Sequence, residues 1–326
     1  MRALLERLDE KWVRLELVLA SLVGGALVLS LSAWVVLKGL AAHTTSSFYA
    51  GAIVRAAFGA VLVGVVAWRA LARVAVRALL TFVAVLLGAL LGVLFREVGV
   101  DWSANVLAWV QDGSVFTLAG GLNGLSTRLT LWLVFLGASL ATSQGRHLSI
   151  DVVARLLPER LAPWTARLSG LFAALVCLVS AWGFFDFLAI DAFRSKLDDA
   201  PAVKVEQVAS GVRRLLFFTG RQLSLDVKTA PRVALGTRWD TSLPAAEWNA
   251  WVDGSDWSGV VDATSLKENA AETRVPLIVT GAESPRGLVS KALALVVPFG
   301  LFVLALKFLL WVLRGARSDE AHGGAR

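Results

Sequence analysis

Apolar runs of membrane length alternate with polar turns along this chain. A helix rises about 1.5 Å per residue, so roughly 20 residues cross a hydrocarbon core of about 30 Å. The pattern predicts six spans: Leu17 to Leu37, about Ala50 to Trp68, Ala78 to Phe95, about Leu122 to Ser143, Leu168 to Phe185 and Leu288 to Leu313. Three of them carry a cation. Arg55 lies near one end of the second, where its long stem is expected to snorkel outward. Arg128 falls in the first third of the fourth, and Lys307 in the sixth is expected to reach toward the nearer headgroups. Gly24-Gly25 and Gly88-x-x-x-Gly92 have the small-residue spacing of close helix contacts, a pattern with frequent false positives.

The long polar stretch 191–286 interrupts this series before the last span. It holds twelve basic and thirteen acidic residues, and Trp239, Trp248, Trp251 and Trp257 argue against disorder. Val205, Val208, Val212, Leu215 and Leu216 recur at helical spacing within 203–218. Ser242, Pro244 and the following AAEWNAW read as a capped short helix, and 232–235 and 274–280 as strands. A small α+β domain is the expectation. Its tryptophans are core or form a sugar- or partner-binding surface. Asp186 and Asp191, at the outer end of the fifth span, read as a solvated exit more readily than as a cation site, and Arg213 and Arg214 as a solvated helix face.

Orientation follows from Lys and Arg in the short loops. Arg2, Arg7, Lys11 and Arg14 precede the first span; Arg69, Arg73 and Arg77 lie between the second and third. Arg146, Arg155, Arg160 and Arg167 follow the fourth, and Arg314, Arg317 and Arg326 follow the sixth. Alternate loops carry few, so both termini are placed in the cytoplasm and 191–286 on the periplasmic side. The polar start, Met1 to Glu16, is long and mixed in charge, which reads as a retained anchor rather than a cleaved signal peptide.

Composition narrows the function. The residues are 56% hydrophobic and only 17% charged, as expected of an integral membrane protein. The net charge of +7 sits beside the apolar runs, so topology explains it and no nucleic-acid partner is expected. One cysteine, Cys177, and three histidines, His43, His147 and His322, leave little for disulfide, metal or haem chemistry. No G-x-S-x-G, Walker loop, H-E-x-x-H or Cys-x-x-Cys occurs, and no catalytic residue, cofactor or metal is expected.

The most specific stretch is LWLVFLGASLATSQGRHLSIDVV, Leu131 to Val153. An uncharged run breaks at Gly145-Arg146-His147 and turns into a short amphipathic segment, as a helix does when it leaves a bilayer and continues along its surface. Trp132, Phe135, Leu136, Gly137 and Ala138, then Gly145, His147, Ile150 and Asp151, resemble the small membrane subunit (DctQ type) of tripartite ATP-independent periplasmic (TRAP) transporters. Leu4 to Leu22 and Val296 to Leu313 resemble that family's first and last spans. The family usually has four spans in a chain about half as long. The departures are two inserted spans, the loop 97–121, the domain 191–286, and Arg128 near the place of an acidic residue often found in the family's second span.

The candidate interface or interfacial-turn residues are Trp132, Gly137, Gly145, Arg146, His147 and Asp151. Trp132 and Gly137 read as a packing surface for another helix, or as an ordinary interfacial tryptophan and span glycine. Gly145 permits the exit, Arg146 and His147 sit at headgroup level, and Asp151 lies in a first turn with Ser149 as N-cap. The simpler reading is an anchored turn.

The expected architecture is an all-α integral membrane protein of the bacterial inner membrane. It comprises 1–49 with the first span, 50–121 with two inserted spans and an outer loop, and 122–190 with the family-like spans and a cytoplasmic interfacial segment 144–167. The periplasmic domain 191–286 and the last span with its tail, 287–326, complete it. The resemblance implies a non-enzymatic scaffold that braces a large permease subunit in the lipid bilayer. It also implies help in docking a periplasmic substrate-binding protein for ion-gradient-driven uptake of an organic acid. The rival reading is a stand-alone membrane-anchored sensor or assembly factor acting through its periplasmic domain.

Overall fold

The computed structural model describes residues 2–42, 50–73, 75–95, 98–143, 162–257, 259–269, 271–272, 274–279 and 288–314. Eleven α-helices occur among them: α1 (Arg2–Ala41), α2 (Ala50–Ala70), α3 (Arg77–Leu94), α4 (Val100–Asp112), α5 (Val115–Leu118), α6 (Gly121–Ser143), α7 (Ala162–Asp191), α8 (Pro201–Ala234), α9 (Ala245–Asp253), α10 (Leu288–Ala294) and α11 (Val296–Arg314). Among the described residues six helical segments are long and apolar enough to cross a membrane: Glu10–Ala41, Gly51–Ala70, Arg77–Leu94, Gly121–Ser143, Arg167–Asp191 and Val289–Leu313. These match the six expected runs. The last is interrupted where Pro298 has no N–H to offer the Ala294 carbonyl, which separates α10 from α11.

The chain divides into two compact units. The first comprises 1–28, 125–215 and 289–326. Here α7 and α11 pack along one another, and a Cβ on Gly170 would fall 2.9 Å from the Trp311 ring. A Cβ on Gly300 would fall 2.4 Å from Phe135, so α11 also lies close against α6.

The second unit comprises 29–124 and 216–288. Its α2 and α3 form a hairpin that depends on missing side chains. A Cβ on Gly59 would lie 2.2 Å from the Gly88 carbonyl oxygen, and one on Gly92 2.2 Å from that of Arg55. The Gly88-x-x-x-Gly92 spacing thus serves contact within the chain. Gly25 has nothing within 4 Å of such a Cβ. Gly92→Val should therefore lower the detergent-measured thermal stability by about 1–3 kcal/mol or more, because backbone cannot give way, while Gly25→Val should change it little.

Two expectations are corrected. Arg55 does not snorkel; it is only 5% exposed, its Nη2 donates to the Leu40 carbonyl, and its Nε and Nη1 have no hydrogen-bond partner among the described residues. No strand occurs among the described residues, so the α+β domain is helical. Residues 232–234 belong to α8, which ends at Gly236 (φ +97°) with the Thr237 N–H bonded to the Arg232 carbonyl. Residues 274–279 belong to no helix or strand, and Pro276 has no N–H to give to a neighbouring strand. The Gln222 amide replaces that strand, donating to the Leu277 carbonyl (2.9 Å) and accepting from the Val279 N–H (3.0 Å).

Candidate functional site

In the first unit, one buried polar cluster ties three apolar helices together. Glu16 closes the polar start of α1, just before its 21-residue uncharged run. Burial forces that carboxylate to find partners. Its Oε1 accepts from Trp12 Nε1 at 2.6 Å and from Ser139 Oγ of α6 at 2.5 Å. Its Oε2 lies 3.3 Å from Lys307 Nζ of α11. That contact is electrostatic, since Oε2 has no aligned donor, and the ammonium gives its hydrogen bond to Ser143 Oγ at 2.7 Å. Lys307 is 5% exposed.

The expectation that Lys307 reaches for headgroups is thus corrected. A carboxylate sits at the same depth, and pairing inside the bundle satisfies both charges without bending the stem out. Sequence reasoning missed Glu16 altogether. The available signal was complementary: opposite charges near the cytoplasmic ends of two spans, and serines one turn apart at the end of a third.

At the other end of this unit, Lys204 Nζ lies 2.5 Å from Asp186 Oδ1 and donates to the Leu197 carbonyl at 3.1 Å. Asp186 is therefore paired to a buried lysine across the α7–α8 turn rather than simply solvated. Asp191 is exposed.

The second unit holds a core built from segments far apart in sequence. The stretch read as an outer loop forms α4 and α5. Trp102 Nε1 donates to the Ala234 carbonyl (2.9 Å) and Trp109 Nε1 to Thr229 Oγ1 (3.3 Å). Asn105 donates to the Thr237 carbonyl and accepts from the Trp239 N–H. Asp226 accepts from the Val115 N–H that opens α5 (2.7 Å) and from Gln222 Nε2 (2.9 Å).

Trp248, Trp251 and Trp257 are buried, with ring centroids 5.4 and 5.6 Å apart, so three of the four tryptophans are core and Trp239 is half-buried. The short helix α9 is preceded by Pro244 with no side-chain cap; Ser242 Oγ bonds the Trp239 carbonyl instead.

Burial raises the Asp226 carboxyl above the ordinary 3.8, against the lowering effect of the Val115 and Gln222 hydrogen bonds. A raised folded-state value means that the protonated form is favoured by folding. Its contribution is full below the unfolded value near 3.8 and is lost as pH rises through the folded value. The stability difference between the wild type and Asp226→Asn should therefore shift toward the wild type as pH falls from 7 toward 4. Asp226→Ala should cost about 1–3 kcal/mol near pH 7, because the Val115 N–H loses its acceptor, and more as pH falls. Thermal melts across that range check both.

The six candidate residues divide sharply. Gly145, Arg146, His147 and Asp151 lie outside the described residues. Trp132 is half-buried, with its indole Nε1 buried and lacking a hydrogen-bond partner. Gly137 is exposed, with nothing within 4 Å of a built Cβ. Five helical residues separate the two by roughly 140° around α6, so they do not share a face. Gly137 instead continues an exposed line of Thr127, Thr130 and Val134. Among the described residues no group of three or more His, Cys, Asp or Glu could hold a metal ion.

Comparison with known proteins gives one family. The sequence profile described as "Tripartite ATP-independent periplasmic transporters, DctQ component" matches residues 115–210. No curated protein and no solved structure matches the chain. The matched stretch runs from α5 into α8 and includes Ser139, Ser143, Asp186 and Lys204, whereas Glu16 and Lys307 lie outside it. With its membrane-length helices, residues 115–210 of this inner-membrane chain are a DctQ-component domain of the tripartite ATP-independent periplasmic transporters.

Proposed function

We propose that this chain is the small permease subunit of a TRAP-type secondary transporter. The observation that carries the proposal is the DctQ-component match at 115–210. The DctQ component is a transporter component and works with a large permease and a binding protein. In this reading the chain braces the large permease in the bilayer, and ion-gradient-driven uptake of an organic acid is carried out by the assembly. The exposed α6 line through Thr127, Thr130, Val134 and Gly137 is the proposed contact, because small residues let helices approach closely in lipid. Gly137→Trp should reduce recovery of the large permease with the chain while leaving the chain's own thermal stability unchanged. Unchanged recovery would remove the α6 surface from the account.

The outer part of the second unit is the proposed contact for the binding protein. Excising 216–279 together with 100–118, which share one core, and measuring binding-protein docking and uptake tests this. Unchanged docking and uptake would sink it. The well-formed core of that unit favours one rival, a stand-alone sensor or assembly factor working through it. In that case loss of the chain leaves organic-acid uptake intact.

A further inference from the structure

We propose that the inner half of the α2–α3 hairpin is a binding site for one anionic phospholipid, its acyl chain in a groove and its phosphate at an arginine rim. The groove has a volume of about 490 Å³. Ala60, Val61, Gly64 and Val65 of α2 and Thr81 and Val85 of α3 line its length. Residues 60 to 68 cover about 12 Å of helix, directed along the span, as an acyl chain runs. The walls are apolar apart from the Thr81 hydroxyl, which is buried with no hydrogen-bond partner. Gly64 keeps the groove open between the two helices: a Cβ there would fall 2.7 Å from Val85.

Trp68 and Arg69 close the groove at the end where three arginines gather. The Arg77 guanidinium stacks 3.5 Å from the centre of the Trp68 ring and its Nε donates to the Trp68 carbonyl at 2.9 Å. That contact holds the turn and the rim together. Arg69 and Arg73 are exposed and form no ion pair among the described residues. Their charge has no counterpart nearby in sequence either, since no Asp or Glu occurs between Glu16 and Glu97.

An apolar slot in a membrane span that opens onto uncompensated arginines at the cytoplasmic headgroup level is complementary to a lipid with an anionic headgroup. Each such cation contributes about 1 kcal/mol at an anionic surface, which corresponds to about fivefold in affinity. The groove separates this site from general attraction to the surface. A free phosphate ion has nothing to place in it.

The test uses the full chain in detergent, with phosphatidylglycerol, phosphatidylcholine and inorganic phosphate as probes and native mass spectrometry as the readout. Phosphatidylglycerol should bind in preference to phosphatidylcholine. Arg69→Gln with Arg73→Gln should weaken it about thirtyfold. Arg69→Lys with Arg73→Lys should largely retain it. Val65→Phe fills the groove from a lipid-exposed position and should also weaken phosphatidylglycerol, with the arginines intact. Circular dichroism of each variant confirms that the helices are kept. Equal binding of the two lipids would overturn the proposal. So would phosphatidylglycerol binding unaffected by Val65→Phe, or competition by millimolar inorganic phosphate.

Discussion

Lys307→Ala is expected to destabilise the packing of α1, α6 and α11 by about 3–5 kcal/mol, and Glu16→Ala by a similar amount. Each takes an opposite charge away from a buried one. With Lys307 gone, the Glu16 carboxylate keeps, among the described residues, the neutral donors Trp12 and Ser139. With Glu16 gone, the Lys307 ammonium keeps its bond to Ser143 but loses the carboxylate 3.3 Å away. The double variant Glu16→Gln, Lys307→Met should cost less than either single alanine change. It removes both charges, and the amide oxygen that replaces the carboxylate can still accept from Ser139. Thermal unfolding in mild detergent, arranged as a double-mutant cycle, measures this coupling. Additive effects, or single variants as stable as the wild type, would show that the pair does not hold the helices.

Trp248→Ala should be comparably severe in the second unit, about 3–5 kcal/mol. Trp248 is 1% exposed and touches Trp251, so truncation opens a large cavity beside the other buried tryptophans. It also strips the Leu266 carbonyl of the indole N–H that donates to it at 2.7 Å. Leu235→Ala, at a position 88% exposed, should change stability by only a few tenths of a kcal/mol. Hydrogen exchange should show protection falling in α9 and around 263–266 in the first variant and unchanged in the second. Retained protection in Trp248→Ala would mean that the tryptophans are not the core of this unit.

The spans were legible because membrane-depth helices need a local signal only: about twenty predominantly apolar residues. What surrounds them depends on partners that are distant in sequence. The β-branched stretch 274–280 reads as a strand, yet a strand requires a neighbour; none occurs among the described residues, where the Gln222 side chain takes the Leu277 carbonyl and the Val279 N–H instead. Residues 97–121 read as a loop although Gly99 and Gly113 bracket a helix there and Ser114-x-x-Thr117 forms a capping box for the next. The purpose of those helices, closing the core at Asp226 and Thr229, is invisible without the fold. Lys307 and Arg55 were misread for a related reason. Snorkelling is the default for a cation considered alone, and Glu16 and the Leu40 carbonyl enter only through tertiary packing. The tryptophans of WNAWVDGSDW, by contrast, read as core from the small size of the domain, and Trp248, Trp251 and Trp257 are buried.

The central claim is that the domain at 115–210 makes this chain one part of a larger permease. Purifying the tagged full chain from its native membrane in mild detergent tests it most directly. The account predicts that a large, very hydrophobic permease subunit of about twelve spans comes with it in fixed stoichiometry, and that the chain loses stability when expressed without it. A monodisperse chain, stable alone and recovered without such a partner, would contradict it.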